Sequence, residues 1–212
     1  MINKKYLTEF FGTAALLSVI TGSGLMGQAL SSGNDAVTLL GNSIATGAGL
    51  YVLIMILGPI SGAHFNPLVS VMAYTQKQLK RKDLVPYIAS QISGAISGVW
   101  ITHLMFNLPI VQTSTKIRTG LGIWVSEVIA TLILLTVIYL GLKYAKKNIA
   151  MIVALTVTAG YWFTSSTFFC NPAVTFARSL TDSFVGIAPQ SILGFVIPQI
   201  IALILILKII KK

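Results

Sequence analysis

The stretch Ser61-Gly62-Ala63-His64-Phe65-Asn66-Pro67-Leu68-Val69 decides the fold of this chain, because it places an Asn-Pro pair inside apolar sequence. A second pair follows in the other half of the chain, in Phe169-Cys170-Asn171-Pro172-Ala173-Val174-Thr175. Proline inside a helix normally ends or kinks it. Asparagine followed by proline instead begins a helix, with asparagine as the N-cap and proline in the first turn. Two such helix starts in two hydrophobic halves predict a pore built from an inverted repeat.

Composition indicates an integral membrane protein with a single all-α domain over residues 1–212. Of the 212 residues, 55% are hydrophobic and 9% are charged, whereas a soluble domain carries about 25% charged residues. Bilayer spans need about 20 apolar residues each, and six such runs are recognisable, the fifth of them short. We place them at Leu7–Met26, Val37–Leu57, Leu84–Phe106, Leu121–Leu142, Ile149–Phe163 and Ile187–Leu207.

Two shorter segments that begin at the Asn-Pro pairs are expected to be re-entrant half-helices, at about Asn66–Tyr74 and Asn171–Leu180. At about 1.5 Å per residue neither can cross a hydrocarbon core of about 30 Å. The repeat halves cover about residues 1–106 and 120–212, and they open on the similar segments Glu9–Thr13 and Glu127–Thr131. With three spans in each half, the second half is inserted upside down relative to the first.

The net charge of +10 is explained by membrane orientation, so no nucleic acid partner is expected. Most basic residues cluster on one side of the predicted spans, namely Lys4, Lys5, Lys77, Lys80, Arg81, Lys82, Lys143, Lys146, Lys147, Lys208, Lys211 and Lys212. Only Lys116, Arg118 and Arg178 fall on the other side. Because cytoplasmic loops carry the excess of Lys and Arg, both termini are predicted to be cytoplasmic.

No enzymatic or metal chemistry is indicated by the sequence. The His, Cys, Asp and Glu residues lack metal-ligand spacing, and no nucleophile stands near a base in a recognisable pattern. The single cysteine, Cys170, cannot form an intrachain disulfide. We therefore expect no catalysed reaction, no metal and no cofactor.

The paired motifs resemble those of the aquaporin (major intrinsic protein) family, which carries two Asn-Pro-Ala sequences, and the resemblance covers nearly the whole chain. It implies six transmembrane helices and two half-helices in a homotetramer, with one pore through each protomer. It also implies that Glu9 and Glu127 accept hydrogen bonds from the re-entrant loops and that His64 fixes its loop. The resemblance points to a passive channel for small uncharged solutes in the lipid bilayer.

The two asparagines are the central candidates for the pore. Half-helices that meet head to head each bring roughly +0.5 elementary charge to mid-membrane. The side-chain oxygens of Asn66 and Asn171 can cap their helices, while their NH₂ groups donate to a solute in the pore. A cation meets a positive barrier there. The prolines Pro67 and Pro172 set the two helix starts.

The motifs depart from the family at two positions. Leu68 replaces the alanine of the first motif, and we interpret it as altered packing between the half-helix tips, with a changed mid-pore constriction as the alternative. The second motif keeps Ala173 but has Val174 where most aquaporins have the arginine of the outer constriction. Arg178 lies one helical turn further on, facing the same way as Val174. It either guards the outer vestibule or extends to the membrane interface as an anchor.

The remaining constriction positions follow from spacing to the motifs, which gives Thr46, Ala159 and Phe168 beside Val174, with Gly160 as the alternative to Ala159. This set is smaller and less polar than a water filter, and it predicts passage of larger neutral solutes. His103 is expected to face the outer membrane surface.

The segment from Tyr161 to Phe184 resembles bacterial aquaporins found with arsenic-resistance genes. That resemblance adds arsenite and methylated arsenicals to water and glycerol-like polyols as expected solutes, and it suggests a bacterial inner (cytoplasmic) membrane. Two alternatives stay open. One is a secondary transporter, which would need a coupling-ion site at the midplane. The other is a weakly ion-conducting channel, because the usual arginine is missing.

Overall fold

The computed structural model describes residues 3–210, and these residues fold into helices joined by loops. The α-helices are α1 (Lys4–Leu30), α2 (Asp35–Ser61), α3 (Pro67–Thr75), α4 (Arg81–Met105), α5 (Leu121–Tyr144), α6 (Ile149–Phe163), α7 (Pro172–Ala177) and α8 (Ile192–Ile210). Single 3₁₀ turns stand at Lys146–Asn148, Arg178–Leu180 and Pro189–Ser191. Lys211 and Lys212, which contribute to the charge argument, lie outside the described residues. The expected all-α architecture is confirmed.

The long helices match the predicted spans, with differences at their ends. Within residues 3–210, α1, α2, α4, α5 and α8 are long and apolar enough to cross a membrane. Helix α6 has 15 residues and, as predicted, is short: it reaches about 22 Å, against a hydrocarbon core of about 30 Å. The last span begins later than predicted. Ile187 lies in a loop, because Pro189 opens a 3₁₀ turn before α8 starts at Ile192.

The helices of the two halves pack in the same order. Helix α1 packs against α2 and α4, α5 packs against α6 and α8 in the equivalent way, and α2 contacts α6 across the halves. Gly94 and Gly98 let α4 approach α1 closely, since a Cβ atom at either position would collide with the carbonyl oxygen of Phe10 or Ala14. Small residues at such crossings are typical of membrane helices.

The loops that precede the half-helices repeat an unusual backbone pattern. In the first loop, Ala63 and Phe65 have φ of 49° and 48°, at positions three and one before the N-cap asparagine. In the second loop, Phe168 and Cys170 have φ of 56° and 37° at the same two offsets. Left-handed conformations are uncommon for residues other than glycine. Their recurrence at matching positions shows that the two loops are structural copies, although their sequences share little beyond Asn-Pro.

Large apolar side chains cover the outside of the molecule. Phe11, Ile101, Leu155 and Ile204 are all exposed, which a soluble domain would avoid on this scale. This surface is the one that a lipid bilayer would cover.

Candidate functional site

The two Asn-Pro motifs meet tip to tip and brace one another. Asn66 and Asn171 are the N-caps of α3 and α7, and their side-chain oxygens accept the N–H of Leu68 at 2.9 Å and of Ala173 at 3.0 Å. Each side-chain amide also donates across the molecular centre. The Nδ2 of Asn66 lies 2.8 Å from the carbonyl oxygen of Cys170.

The reciprocal hydrogen bond joins the Nδ2 of Asn171 to the carbonyl oxygen of Phe65, also at 2.8 Å. One N–H of each amide is therefore used structurally. An Asn NH₂ group has two donors, so the second N–H of each amide remains for a solute. Both asparagines are more than nine-tenths buried and line the central cavity.

Glu9 holds the first loop in place from inside the protein. Its carboxylate accepts the backbone N–H groups of His64 at 3.0 Å and Phe65 at 2.8 Å, and the hydroxyl of Ser61 at 2.6 Å. Nδ1 of the His64 ring lies 3.0 Å from the hydroxyl oxygen of Ser70. These contacts match the loop-holding positions that the resemblance implies for Glu9 and His64.

Glu127 occupies the equivalent position in the second half. Its carboxylate accepts the N–H of Phe169 at 3.1 Å and of Cys170 at 2.9 Å. Glu9 and Glu127 are both fully buried, and a buried carboxylate needs several donors to compensate for lost hydration. The backbone of each re-entrant loop supplies them, so neither carboxylate is presented to the cavity.

Sequence reasoning missed a pair of glutamines that complete this arrangement. Gln91 donates to Glu9 at 2.8 Å and to Ser70 at 2.8 Å. Gln199 donates to Glu127 at 2.6 Å and, in the matching position, to Thr175 at 3.1 Å. No motif surrounds either glutamine, but a polar residue within an apolar span is a recognisable signal. Gln91 and Gln199 are such residues.

A cavity of about 910 Å³ passes between the two half-helices. At one end it is lined by Lys5 and Lys147, at the middle by Asn66 and Asn171, and at the other end by Arg178. Within the described chain, no acidic residue lines it. The arrangement offers a solute a mostly apolar wall with amide donors halfway.

A second cavity of about 180 Å³ adjoins the Arg178 end of the first cavity and shares Tyr161 and Arg178 with it. Its other lining residues are Leu39, Asn42, Lys116, Arg118, Thr167 and Phe184. The two shared residues therefore mark the boundary between the large cavity and a vestibule at this end.

Phe168, Val174 and Tyr161 line the large cavity together with Arg178. Phe168 and Val174 were predicted from the sequence, and both are buried. Thr46 is also buried but stands behind Tyr161, whose hydroxyl donates to it at 3.3 Å. The ring of Tyr161 thus occupies part of the space that the small side chains predicted for the constriction would leave open.

The prediction for Ala159 is wrong. Ala159 is on the exposed side of α6, while the inward side carries Val153, Val157 and Tyr161. Counting back from the motif fails because the rotation of α6 depends on how it packs against α2 and α5. Gly160, the alternative, is buried beneath Phe168, whose ring occupies the place of a Cβ atom.

The other motif residues are structural in position. Leu68 is 4% exposed and packs with Met72, Leu135 and Leu203 between α3, α5 and α8, in line with altered packing rather than a pore-facing change. Ala173 is fully buried in the central core. Pro67 is buried and Pro172 half-buried at the first turn of each half-helix.

Arg178 lies in the protein, not at the lipid interface. It is 3% exposed, its Nε–H donates to the carbonyl oxygen of Val185, and its guanidinium carbon lies 3.6 Å from the centre of the Phe169 ring. Helix α7 ends at Ala177, so Arg178 opens a 3₁₀ turn instead of continuing the helix from Val174. Both residues nevertheless line the large cavity.

The expectation for His103 is also wrong. His103 is fully buried, with Nδ1 2.7 Å from the carbonyl oxygen of Ile110 and Nε2 2.9 Å from the hydroxyl of Thr181. Its position near the end of α4 suggested the membrane surface. The loop that follows α4 instead folds back against His103, which links that loop to the segment after α7.

Two opposed half-helices inside an inverted repeat of membrane helices, with a cavity between their tips, define the class of membrane channels. The family model of the major intrinsic protein matches residues 1–164. The chain is 43% identical to the aquaglyceroporin AqpS of Rhizobium meliloti over 210 residues, covering 99% of this chain and 90% of that protein. The chain therefore belongs to the major intrinsic protein (aquaporin) family.

More distant relatives agree with this assignment. The chain is 30% identical to aquaporin AqpM of Methanothermobacter marburgensis, over 85% of this chain and 84% of that protein. Among solved structures, the aquaglyceroporin from Plasmodium falciparum superposes with a TM-score of 0.71 at 20% identity, covering 95% of this chain and 92% of that chain. The latter likeness establishes the fold. The chain is an integral membrane protein of this channel family.

Proposed function

We propose that the chain is a passive channel for small uncharged hydroxylated solutes, with glycerol-like polyols, arsenous acid and methylated arsenicals passing besides water. The observation that carries the proposal is the cavity that contains both motif asparagines and, in the described residues, no acidic side chain. A neutral solute with hydroxyl groups can accept hydrogen bonds from the amides at mid-pore. A cation would meet two helix N-termini there without a carboxylate to compensate.

The absence of a charged side chain at position 174 supports solutes larger than water. Val174 stands where most family members carry the arginine of the constriction, and the relative AqpS is described as an aquaglyceroporin. Arsenous acid is an uncharged triol at neutral pH, so a polyol-sized pore would admit it. The segment from Tyr161 to Phe184, with its resemblance to arsenic-linked aquaporins, is the basis for including methylated arsenicals.

The placement of the two buried glutamates argues against a coupled transporter. A coupling-ion site would need ligands that reach the pathway, but Glu9 and Glu127 are engaged by loop N–H groups and glutamines. Flux that saturates and follows a proton or sodium gradient would favour the transporter. Electrical conductance of planar bilayers would favour an ion channel.

The decisive experiment is stopped-flow light scattering on proteoliposomes with water, glycerol and arsenite. A matched pair of variants separates pore flux from leak through disturbed lipid. Val174→Trp would fill the cavity, whereas Phe176→Trp lies on the same half-helix at a 41% exposed position. We expect solute flux to be lost in the first and kept in the second. Equal flux in the two variants, or no solute flux above that of empty liposomes, would reject the proposal.

We further propose a homotetramer in a bacterial inner membrane, with both termini in the cytoplasm. Each protomer encloses its own cavity, so the assembly would contain one pore per subunit. Native mass spectrometry in detergent tests the tetramer. Fusion of a green fluorescent reporter to the C-terminus tests the orientation, since fluorescence is expected only when the reporter stays in the cytoplasm.

A further inference from the structure

The outer vestibule gathers the three basic residues that the charge pattern assigns to the outer side. Lys116 and Arg118 come from the loop between α4 and α5, and Arg178 comes from the segment after α7. All three line the cavity of about 180 Å³. Arg178 lies about 60 residues from Lys116 and Arg118 in the sequence. Their proximity therefore depends on how the loop folds over the mouth of the pore.

The loop is fixed in place by hydrogen bonds to the second half of the chain. Backbone bonds join Ser114 to Ser179 at 2.9 Å and Ala188 to Lys116 at 2.7 Å. The N–H of Arg118 donates to the hydroxyl of Ser191 at 3.0 Å. The cations of the loop are therefore held over the pore by the backbone.

The three cations make hydrogen bonds to neutral oxygens. Lys116 donates to the carbonyl oxygen of Phe184 at 3.0 Å, and Arg118 donates to the carbonyl oxygen of Ser165 at 3.0 Å and the hydroxyl of Thr167 at 3.3 Å. Such acceptors satisfy the N–H groups without neutralising the charge. The positive charge of the vestibule stays uncompensated by these contacts.

Arg178 and Arg118 are brought together on one aromatic ring. Their guanidinium carbons lie 3.6 Å and 5.4 Å from the centre of Phe169. Partial desolvation, followed by the charges of Arg118 and Arg178, lowers the pKa of Lys116 from its ordinary value, while Asp35 opposes this shift. Like charges held this close favour a bound anion.

Arg178 has donors to spare. Of the five N–H groups of a guanidinium, only the Nε–H donates to the described part of the protein. The residue is only 3% exposed, and it lines both cavities. The remaining N–H groups are thus available to a ligand in the vestibule.

We propose that Lys116, Arg118 and Arg178 form a binding site for one small oxyanion at the outer mouth of the pore. Guanidinium forks bind planar or tetrahedral oxyanions through charge-assisted hydrogen bonds, and the cavity volume suits a carboxylate or phosphate of a few heavy atoms. Because Tyr161 and Arg178 are shared by the two cavities, the bound oxyanion lies across the pathway and slows neutral solutes while it is there. Only this flux effect rests on the proposed channel function.

Binding is tested on the purified full-length protein in detergent by isothermal titration calorimetry. The probes are inorganic phosphate and acetate at constant ionic strength set with sodium chloride, with acetamide as the neutral counterpart of acetate. We expect saturable binding of at least one oxyanion. Tighter binding of phosphate would show a preference for tetrahedral geometry, and tighter binding of acetate a preference for planar geometry. Binding of acetamide equal to acetate, or no saturable binding of either oxyanion, would overturn the proposal.

Variants locate the site. R118Q should lower the affinity for the oxyanion by about tenfold, which is the loss expected for one charge-assisted hydrogen bond. R81Q removes the same charge from an exposed position on the opposite side of the membrane, and it should leave the affinity unchanged. K116Q changes only an exposed rim residue and should weaken binding without disturbing folding, with K82Q as its control. Equal affinities in the site variants and their controls would contradict the assignment.

Flux distinguishes this proposal from the channel function itself. Phosphate or acetate added outside proteoliposomes should slow glycerol efflux with the concentration dependence found by calorimetry, and R118Q should need more anion for the same effect. An anion that binds without slowing glycerol would overturn the placement at the mouth. Absence of glycerol flux in the anion-free protein would instead reject the channel function, while the calorimetric result would still decide whether the site exists.

Discussion

The hydroxyl of Tyr161 donates to the hydroxyl of Thr46 at 3.3 Å and connects α6 to α2 at the Arg178 end of the pore. The Tyr161 ring is held in the place where spacing alone predicted the methyl group of Ala159. We therefore expect the Tyr161 ring to limit the width of the pore at this level, with the hydrogen bond to Thr46 as a secondary support.

Replacing Tyr161 tests this relationship. Tyr161→Ala should raise glycerol flux severalfold relative to water flux, because it removes the ring from the cavity wall. Tyr161→Phe keeps the ring and loses one hydrogen bond of about 1 kcal/mol, so its flux ratio should stay close to that of the wild type. Stopped-flow measurements on both variants check this, and an unchanged ratio in Tyr161→Ala would show that the ring does not limit passage.

Val174→Arg should narrow the pore and reduce glycerol and arsenite flux roughly tenfold, with a smaller effect on water, because pore diameter and lining charge set selectivity. The new side chain would also approach Arg178, one turn away, and add like-charge repulsion. Val174→Met is the control for length without charge. Equal loss of water, glycerol and arsenite flux in a well-folded Val174→Arg protein would argue against a selectivity role for this position.

Asn66→Asp and Asn171→Asp should each lower stability and weaken cation exclusion. A carboxylate would face the carbonyl oxygen of Cys170 or Phe65, where the amide now donates at 2.8 Å. Loss of such a buried hydrogen bond costs about 1–3 kcal/mol, and the negative charge opposes the half-helix ends.

Conductance of planar bilayers and thermal unfolding in detergent measure the two effects of these aspartates. Asn107→Asp, at an exposed loop position, is the matched control. If Asn66→Asp and Asn171→Asp show the same conductance and the same unfolding midpoint as Asn107→Asp, the amides neither face the pore nor stabilise the loops.

Thiol reagents should leave flux through the wild-type channel unchanged. The Cys170 thiol is buried and donates to the carbonyl oxygen of Phe168 at 3.3 Å, while the neighbouring Asn171 lines the cavity. A positive control is Val174→Cys in a Cys170→Ser background, which places a thiol on the cavity wall and should be blocked by mercurials. Inhibition of the wild type at the same reagent concentration would mean that Cys170 is reachable from the pore.

Glu127→Gln should destabilise the protein more than the equivalent substitution of an exposed acidic residue does. The carboxylate accepts two loop N–H groups and the amide of Gln199, and hydrogen bonds to a charged group contribute about 1.5–3 kcal/mol each. We expect a lower midpoint of thermal unfolding in detergent. Asp35→Asn, at an exposed helix start, should change it little, and a similar midpoint for the two variants would contradict the loop-holding role.

The sequence by itself determined the elements that depend on neighbours along the chain. Asparagine caps reach a backbone N–H two residues further on, and proline fixes its own φ, so the starts of α3 and α7 could be located at Asn66 and Asn171. Continuous apolar runs likewise gave the spans, including the short α6. The distribution of basic residues along the sequence separated Lys116, Arg118 and Arg178 from the others, but it did not predict that the three lie close together.

Only the tertiary structure decided which side chains share the pore and its vestibule. A helix turns about 100° per residue, so the shift of two residues from Ala159 to Tyr161 moves a position from the outside of α6 to the pore. That rotation depends on the packing of α6 against α2 and α5. The pairing of Gln91 with Glu9 and the gathering of Lys116, Arg118 and Arg178 join residues far apart in the chain, and such contacts follow from packing and loop closure rather than from local pattern.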